Sequence, residues 1–459
     1  MPKKIKTGLF SRSFSLAKLT ATASGRLAKH TLEGLFTEPI KHLEKGKRLL
    51  EKQAEQLVGE ANQLRGSLVK AGQILSMYGD SFLPKEVTAQ LKKMQREVEP
   101  LPYSQIRTLL LKRMGKKRFE QLEIDPNALG AASLGQVHKA IIKATGQIVA
   151  IKVRYPGIEK AIDTDLRLMR FFLNAGKFLP ADIPKERWDD IFDEARYILY
   201  QEVNYTNELQ LLKTYKNNLG SDPRFIIPDP IDLFCTPSVL CTSFEDGSRI
   251  DSPEVSQLSQ ERRNYLSESF IDLFLKEFFI WNLVQTDPHF GNYLIRKDPE
   301  GKRDRWVLFD FGALRTFSES FKTAYITLLG GVVTENFDRI IKGGELLGLV
   351  APSDSPLAKR AFVDLALLSG EPLHGESAYD WGQSQLPKRV AALSLKTIPQ
   401  LKFRIPPKEM LSLNRKLGGI FVHLSELKGQ IAMKPQLLAE PYGSILGINF
   451  AAGPNPLNK

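Results

Sequence analysis

The stretch from Thr286 to Asn292 reads Thr-Asp-Pro-His-Phe-Gly-Asn and holds a carboxylate and an amide at a fixed spacing. Asn292 follows Asp287 by five positions, so one loop carries both side chains. A segment on each side adds to it: Val-Ala-Ile-Lys ends at Lys152, and Asp-Phe-Gly begins at Asp310. The chain therefore has a lysine, a carboxylate, an amide and a second carboxylate in a set order.

Phosphoryl transfer needs these residue types, because a protein catalyses it by positioning groups and neutralising charge on phosphate oxygens. Lys152 ends a predicted strand, where its ammonium suits several phosphate oxygens at once. Asp310 is the predicted magnesium ligand and Asn292 a second metal contact, since magnesium prefers oxygen ligands. Asp287 is the candidate base. The ordered set predicts a protein-kinase-like fold that binds ATP, or ADP, and Mg²⁺.

Each segment alone has an ordinary structural interpretation. Val-Ala-Ile-Lys is a frequent strand end, and Asp-Phe-Gly makes a good tight turn because Gly supplies a positive φ. Asp-Pro-His is a frequent loop start, in which His289 is merely a satisfied polar residue. The agreement of all three in order, with strand-like flanks, favours the catalytic interpretation.

Upstream of Lys152 the chain has small residues where a phosphate-covering loop is expected. Ala132 replaces the middle glycine of such a loop, and its Cβ restricts the backbone and crowds a phosphate. The alternative is a small-residue turn packed against a helix. The predicted nucleotide-binding residues are Lys152 and, in the loop, Gly130, Ala131, Ala132, Ser133, Gly135 and Val137.

Three segments carry a family resemblance: Lys-Ala-Gly-Gln ending at Gln73, the run from Ala131 to His138, and the run from Gln285 to Asn292. With them the chain closely resembles the UbiB/AarF family of atypical kinase-like proteins, from about Leu16 to about Glu335. The Lys-x-Gly-Gln element is the most specific, because ordinary protein kinases lack it. The chain departs from the family pattern at two places. Gly130 occupies a position where the family usually has alanine, and Thr242-Ser243 occupies the position of an expected Met-Glu pair.

The resemblance implies roles for four further residues. The helix with Lys70 and Gln73 would lie across the face where a protein kinase admits a peptide, which argues against protein substrates. Glu202 would pair with Lys152, and Glu208 with Lys70, although the exchanged pairing fits the sequence equally well. Taken without the family, both glutamates lie in one predicted amphipathic helix, where exposed carboxylates are common.

The resemblance also implies a function. It indicates an ATP-binding, magnesium-dependent atypical kinase or ATPase that supports ubiquinone or other isoprenoid-lipid metabolism at a membrane surface, with a lipid or quinone precursor as partner and a homodimer formed through the extension. Two alternatives stay open: a small-molecule kinase of the aminoglycoside or choline type, and a non-catalytic nucleotide-binding lipid scaffold. Lys70 and Gln73 argue against the first alternative, and the intact charged positions against the second.

Composition and charge limit the remaining classes. The chain has 459 residues, 42% hydrophobic and 25% charged, and a net charge of +12. Seven basic residues precede the first acid, Glu33, and Leu16, Leu19, Ala23 and Leu27 recur at helical spacing, which predicts a cationic amphipathic helix on anionic lipid. No nucleic-acid module is recognisable, so lipid is favoured over nucleic acid. The alternatives are a frayed solubilising tail and an organellar transit peptide.

Cysteine usage and hydropathy bear on location. Cys235 and Cys241 stand without a Cys or His cluster, which predicts neither a zinc site nor a disulfide framework and fits a reducing compartment. The chain lacks an apolar run of about eighteen residues, so no transmembrane helix is predicted. We expect a cytoplasmic protein, peripheral on the inner face of a membrane, with an organelle matrix as the alternative.

The predicted fold class is α+β, a two-lobed protein-kinase-like fold with an N-terminal helical extension. Its segments are a basic amphipathic stretch (1–36), the helical extension with Lys-x-Gly-Gln (37–100), an N-lobe (101–238), a mostly helical C-lobe (239–432) and a loose tail (433–459). After Gly312 a helix is expected by about Ser318. That leaves little room for the peptide-binding segment of ordinary protein kinases.

Overall fold

The computed structural model describes residues 70–72, 100–131, 134–175, 185–401, 404 and 406–448. The chain divides into two compact units. The described residues of the first unit fall within Met1–Lys213 and Asp229–Phe244, and those of the second within Thr214–Pro228 and Glu245–Lys459. The predictions for residues 1–36, for most of 37–100, and for Gln73, Ala132 and Ser133 lie outside the described residues.

The described helices and strands have the following bounds. The helices are α1 (Tyr103–Met114), α2 (Lys116–Phe119), α3 (Ile158–Ala175), α4 (Lys185–Glu202), α5 (Tyr205–Leu219), α6 (Pro253–Ser256), α7 (Gln260–Leu275), α8 (Glu319–Val333), α9 (Phe337–Leu346), α10 (Pro356–Ser369), α11 (Leu386–Thr397), α12 (Lys408–Glu426), α13 (Lys434–Leu438) and α14 (Tyr442–Ile445). A π-helical turn, Lys276–Ile280, continues α7. The strands are β1 (Leu122–Ala131), β2 (Gly135–Ile142), β3 (Ile148–Arg154), β4 (Phe225–Ile226), β5 (Val239–Ser243), β6 (Ser248–Arg249), β7 (Val284–Gln285), β8 (Tyr293–Arg296), β9 (Arg305–Leu308), β10 (Leu314–Arg315), β11 (Tyr379–Asp380) and β12 (Gln430–Ile431).

The first unit is built on an antiparallel sheet of four strands in the order β1-β2-β3-β5. Side chains alternate between the faces of a strand, and on β3 the apolar Val149, Ile151 and Val153 are fully buried. Lys152 therefore lies on the opposite face, where Val137 of β2 is its register partner. The buried face packs against α1, α3 and α4 through a core that includes Ile106, Leu110, Ile162, Met169, Phe192 and Leu199.

The boundary between the units differs from the sequence prediction. The predicted second lobe begins at residue 239, whereas Val239–Ser243 forms β5 and pairs with β3 in the first unit. The reason is burial: Val239, Leu240 and Cys241 are all buried and complete that sheet. The first unit thus extends to Phe244.

The second unit combines a small mixed sheet with helices. The strand order is β4-β9-β8-β6, with β4 parallel to β9, and a separate hairpin pairs β7 with β10. Trp306 of β9 is fully buried, and its Nε1–H donates to the carbonyl of Leu266 over 3.0 Å. Phe270 packs on that ring with centroids 4.7 Å apart. None of the described helices is long and apolar enough to cross a membrane.

The prediction of a loose tail from Met433 is wrong for residues 433–448. Two short helices, α13 and α14, form there, and Leu437, Tyr442 and Leu446 are buried. Each buried large apolar side chain contributes roughly 1.5–3 kcal/mol, which outweighs the weak helix propensity of a Pro- and Gly-rich segment. Residues 449–459 lie outside the described residues.

Candidate active site

Lys152 of β3 is held by a carboxylate that the first turn of α5 delivers. Its Nζ lies 2.8 Å from Oε1 and 3.0 Å from Oε2 of Glu208, whose side chain is only 2% exposed. Asn204 caps this helix, because its Oδ1 accepts from the N–H of Asn207. The Lys152 ammonium also lies over the ring of Tyr205, 5.1 Å from its centroid. Two contacts thus fix the position of a partly exposed lysine charge.

Glu202, the last residue of α4, pairs with Lys70. Their Nζ and Oε1 atoms are 2.7 Å apart, and both side chains are mostly buried. The first sequence assignment, Glu202 with Lys152 and Glu208 with Lys70, is therefore wrong, and the structure has the exchanged pairing. The two glutamates lie on different helices because α4 ends at Glu202 and α5 starts at Tyr205, and their spacing in sequence does not reveal this break.

The predicted phosphate loop is the turn of a β-hairpin. β1 ends at Ala131 and β2 begins at Gly135, with Gly130 opposite Val137 in the ladder. A Cβ on Gly135 would lie 2.6 Å from the carbonyl oxygen of Val153, so only glycine fits against β3 at this point. A Cβ on Gly130 would meet no atom within 4 Å. Packing therefore requires a glycine at position 135 and does not require one at position 130.

In the second unit, Asp287 forms an ion pair with Arg415 of α12. Its Oδ1 lies 2.5 Å from Nη2 of Arg415, and the side chains are 14% and 11% exposed. Charge-assisted hydrogen bonds of this kind are short and roughly twice as strong as neutral ones. The candidate base is thus a carboxylate in contact with a largely buried cation.

Asn292 closes the loop that carries Asp287. Its Nδ2 donates to the backbone carbonyl of Asp287 over 3.1 Å, and this bond orients the amide oxygen away from that carbonyl. A 3₁₀ turn, Phe290–Asn292, forms the end of the loop, and Nδ1 of His289 accepts from the N–H of Gly291. His289 therefore stabilises the loop conformation, in agreement with its interpretation as a satisfied polar residue.

Gln285 connects the loops of both motifs. Its Oε1 accepts the N–H of Asp287 over 2.6 Å, and its Nε2 donates to the carbonyl of Asp310 over 2.9 Å. The backbone of Asp310 has a φ of 58°, which is uncommon for a residue with a side chain and occurs often at functional sites. Its Oδ1 accepts the N–H of Gly312 over 3.2 Å. The buried amide of Gln285 thus fixes the backbones of the candidate base and of the predicted metal ligand relative to each other.

A buried ion pair lies beneath the same loops. Lys416 of α12 and Glu277 of the π-helical turn are 2.8 Å apart, Nζ to Oε2, and both side chains are almost fully buried. Glu277 also accepts from the hydroxyl of Tyr215 over 2.6 Å and from the N–H of Gln285 over 3.3 Å. Burial is the largest cause that raises the pKa of Tyr215 well above its usual value, and the carboxylate of Glu277 is the second. The phenol therefore stays protonated.

Three residues of α12 at intervals of four face the loop of residues 286–292, the candidate catalytic loop. Besides Arg415 these are Gly419 and His423, and this spacing puts them on one side of a helix. A Cβ on Gly419 would overlap the ring of Pro288. His423 packs edge-on against Phe290 with centroids 4.8 Å apart, and burial lowers its pKa to about 4, which keeps it neutral at pH 7.

Sequence reasoning missed Arg415, Gly419 and the role of Gln285. Arg415 lies 128 positions after Asp287 in a helix without a motif, so no local spacing reveals it. The available indication was the periodicity of α12, where a basic residue, a glycine and a histidine recur every four positions.

Comparisons with known proteins identify the family and the fold of the chain. The ABC1 atypical kinase-like domain matches residues 93–343 of the chain. Atypical kinase COQ8, mitochondrial, of Saccharomyces cerevisiae is 30% identical over 80% of this chain and 72% of its own length. Atypical kinase coq-8, mitochondrial, of Caenorhabditis elegans is 28% identical over 84% of this chain, which spans half the length of that relative.

A solved structure shares the fold. Rv3197 of Mycobacterium tuberculosis, solved as a complex with erythromycin, superposes with a TM-score of 0.58 at 22% identity, over 87% of this chain and 98% of its own. The predicted α+β, kinase-like fold is thereby confirmed, and so is the resemblance drawn from the sequence motifs. Because the matching domain covers more than half of its residues, the chain belongs to the ABC1 atypical kinase-like family, the UbiB family of the sequence prediction.

Proposed function

We propose that this protein binds ATP with magnesium and transfers or hydrolyses its γ-phosphate as a UbiB-type atypical kinase. The observation that carries the proposal is the Gln285 bridge, which holds the backbones of Asp287 and Asp310 in one hydrogen-bonded arrangement. Such an arrangement suits a reaction in which positioning, rather than covalent chemistry, does most of the catalysis.

Each side chain has a role that its contacts support. Lys152, held by Glu208, would bind the phosphate oxygens. Asp287 would orient the acceptor hydroxyl or water and take up its proton. The hairpin from Gly130 to Val137 would cover the phosphates. Lys70 and Gln73 would exclude a peptide from the site, as the family resemblance implies.

The residues at the metal position fit magnesium. Asp310 offers a carboxylate and Asn292 an amide oxygen, and Mg²⁺ prefers one or two such ligands with substrate phosphates and water completing its shell. Within the described ranges, no group of three or more His, Cys, Asp or Glu side chains is placed to hold a metal. When bound, Mg²⁺ would neutralise charge on the phosphate oxygens.

We further propose a small lipid acceptor, such as an isoprenoid or quinone precursor, rather than a peptide. Ser318 caps α8 six positions after Gly312, so the segment that ordinary protein kinases use to hold peptides has no room here. The family resemblance links such proteins to ubiquinone metabolism at membranes, and the relatives described above are named as mitochondrial. Contact with a membrane surface and pairing of two copies belong to this proposal as well.

A nucleotide-binding scaffold without turnover is the second candidate. The observation that favours it is the ion pair of Asp287 with Arg415, since a guanidinium competes with an acceptor hydroxyl for the carboxylate. A scaffold would bind nucleotide tightly and leave it intact.

The deciding experiment measures magnesium-dependent ATP turnover by the full chain, with and without anionic vesicles that carry an isoprenoid quinone precursor. Asp287→Asn serves as the blank. Turnover that vesicles stimulate and that disappears in the variant supports the kinase or ATPase. Tight binding without turnover under every condition supports the scaffold instead.

With Asp310→Asn, loss of the magnesium dependence of ATP affinity is expected, and an unchanged dependence contradicts the metal assignment.

The two glutamates are expected to differ in their effect on nucleotide binding. Glu208→Gln removes the charge that holds Lys152, and a hydrogen bond to a charged group contributes about 1.5–3 kcal/mol, so ATP affinity should fall about tenfold or more. Glu202→Gln is the matched variant, because the carboxylate of Glu202 pairs with Lys70 instead of Lys152, and it should lower affinity less than Glu208→Gln does. Isothermal titration with ATP and magnesium compares them. A larger loss for Glu202→Gln would contradict the pairing seen in the structure.

A further inference from the structure

The contact between Arg415 and Asp287 is one of three contacts that α12 makes with the catalytic loop. Arg415 meets the carboxylate of Asp287, Gly419 lies against Pro288, and His423 packs on Phe290. The three loop residues are nearly consecutive in sequence, and their three partners follow one stripe of a 19-residue helix. The helix therefore contacts the loop at three of its residues.

The backbone of Asp287 is already fixed without Arg415. Gln285 binds its N–H and Asn292 binds its carbonyl, so both backbone groups have partners. What these bonds do not set is the rotation of the carboxylate about its side-chain torsions. The ion pair with Arg415, in which Nη2 donates to Oδ1, restricts this rotation, because the N–H donors of the planar guanidinium fork point in fixed directions.

We propose that Arg415 is a positioning residue for Asp287. It orients the carboxylate toward the acceptor, and the contacts of Gly419 and His423 set the distance from which it does so. An adjacent cation makes a carboxylate a weaker base, but the transition state of phosphoryl transfer is loose, so orientation matters more than basicity. This inference rests on the proposed function, because it needs an acceptor that Asp287 orients.

The test compares single-turnover ATP hydrolysis, at high enzyme concentration, by the full chain and its variants. Arg415→Ala should lower the rate about 10- to 100-fold and leave the Kd for magnesium-ATP within about twofold, because misplacing a catalytic group affects the chemical step and not nucleotide binding. Millimolar guanidinium should restore part of the rate, whereas equal sodium chloride should not. Arg389→Ala is the matched control, since it breaks the more exposed ion pair with Glu371 in the same unit and should change neither quantity.

A second comparison separates positioning from general support of the fold. Single-turnover hydrolysis at high enzyme concentration measures the residual rate of Asp287→Asn. On that residual rate Arg415→Ala should cause no further loss, because residues that act as a unit are not additive. Arg415→Lys keeps the charge without the fork, and its rate should lie between those of the parent and Arg415→Ala. It also provides a folded variant if Arg415→Ala is unstable.

Three results would overturn the inference: an unchanged rate in Arg415→Ala, an increased rate, or an equal loss with and without Asp287→Asn. An increase would show that the ion pair inhibits the base. A parent protein without magnesium-dependent turnover gives a different result, because it overturns the proposed function and the inference falls with it.

Discussion

Replacing Lys416 by methionine is expected to lower the free energy of unfolding by about 3–5 kcal/mol, the usual loss when one member of a buried ion pair is removed. The substitution keeps the length of the side chain and removes its charge. Glu277 then keeps a buried carboxylate without the cation 2.8 Å away. Chemical denaturation of the protein, followed by tryptophan fluorescence, measures the change, since three of the four tryptophans lie in the second unit. A thermal midpoint lower by roughly 10 °C should accompany it.

The double variant Lys416→Met with Glu277→Gln provides the control. Glutamine keeps an acceptor for the hydroxyl of Tyr215 and for the N–H of Gln285 while removing the unpaired charge. Most of the lost stability should return, because removal of both partners of a buried pair is often nearly neutral. A double variant as unstable as the single one would show that the charge of Glu277 was not the cause.

Gly419→Ala is expected to reduce turnover about 100-fold and to destabilise the protein by about 1–3 kcal/mol. The new Cβ would overlap the ring of Pro288, so either α12 or the catalytic loop has to move. Overpacking costs this much, and a displacement of about 1 Å at a catalytic residue typically lowers a rate by that factor. Single-turnover ATP hydrolysis and thermal melting give the two values.

The neighbouring glycine supplies a matched control on the same helix. A Cβ on Gly418 would meet no atom within 4 Å, so Gly418→Ala tests alanine in α12 without the clash. Alanine is the better helix former by about 0.5–1 kcal/mol, and this variant should be slightly more stable with unchanged turnover. If both alanine variants behave alike, the contact with Pro288 does not determine the position of the loop.

The sequence predicted the parts of the site that depend on short-range spacing. Asp287 with Asn292, the lysine of β3 and the turn at Asp310 all belong to short motifs of neighbouring residues, so the sequence alone makes them candidates. The order of these motifs was also sufficient for the fold class, since each has one place in a kinase-like fold.

The sequence did not predict what depends on the ends of helices or on distant elements. The exchange of partners between Glu202 and Glu208 follows from the end of α4 at Glu202 and the start of α5 at Tyr205, which the sequence around neither residue reveals. Arg415 reaches Asp287 only because helix packing brings α12 to the loop. The order in the tail reflects burial of Leu437 and Leu446, and local propensity in that segment is too weak to show it.

The contacts between α12 and the catalytic loop limit which part of this site can be transferred to another protein. A loop of seven residues is short enough to graft into another kinase-like protein. Here its conformation depends on a helix more than a hundred residues away in sequence. That helix contributes the ion pair of Arg415, the space left by Gly419 and the aromatic contact of His423. A graft that carried the loop alone would leave its shape undetermined, so the smallest transferable piece is the loop together with the face of α12.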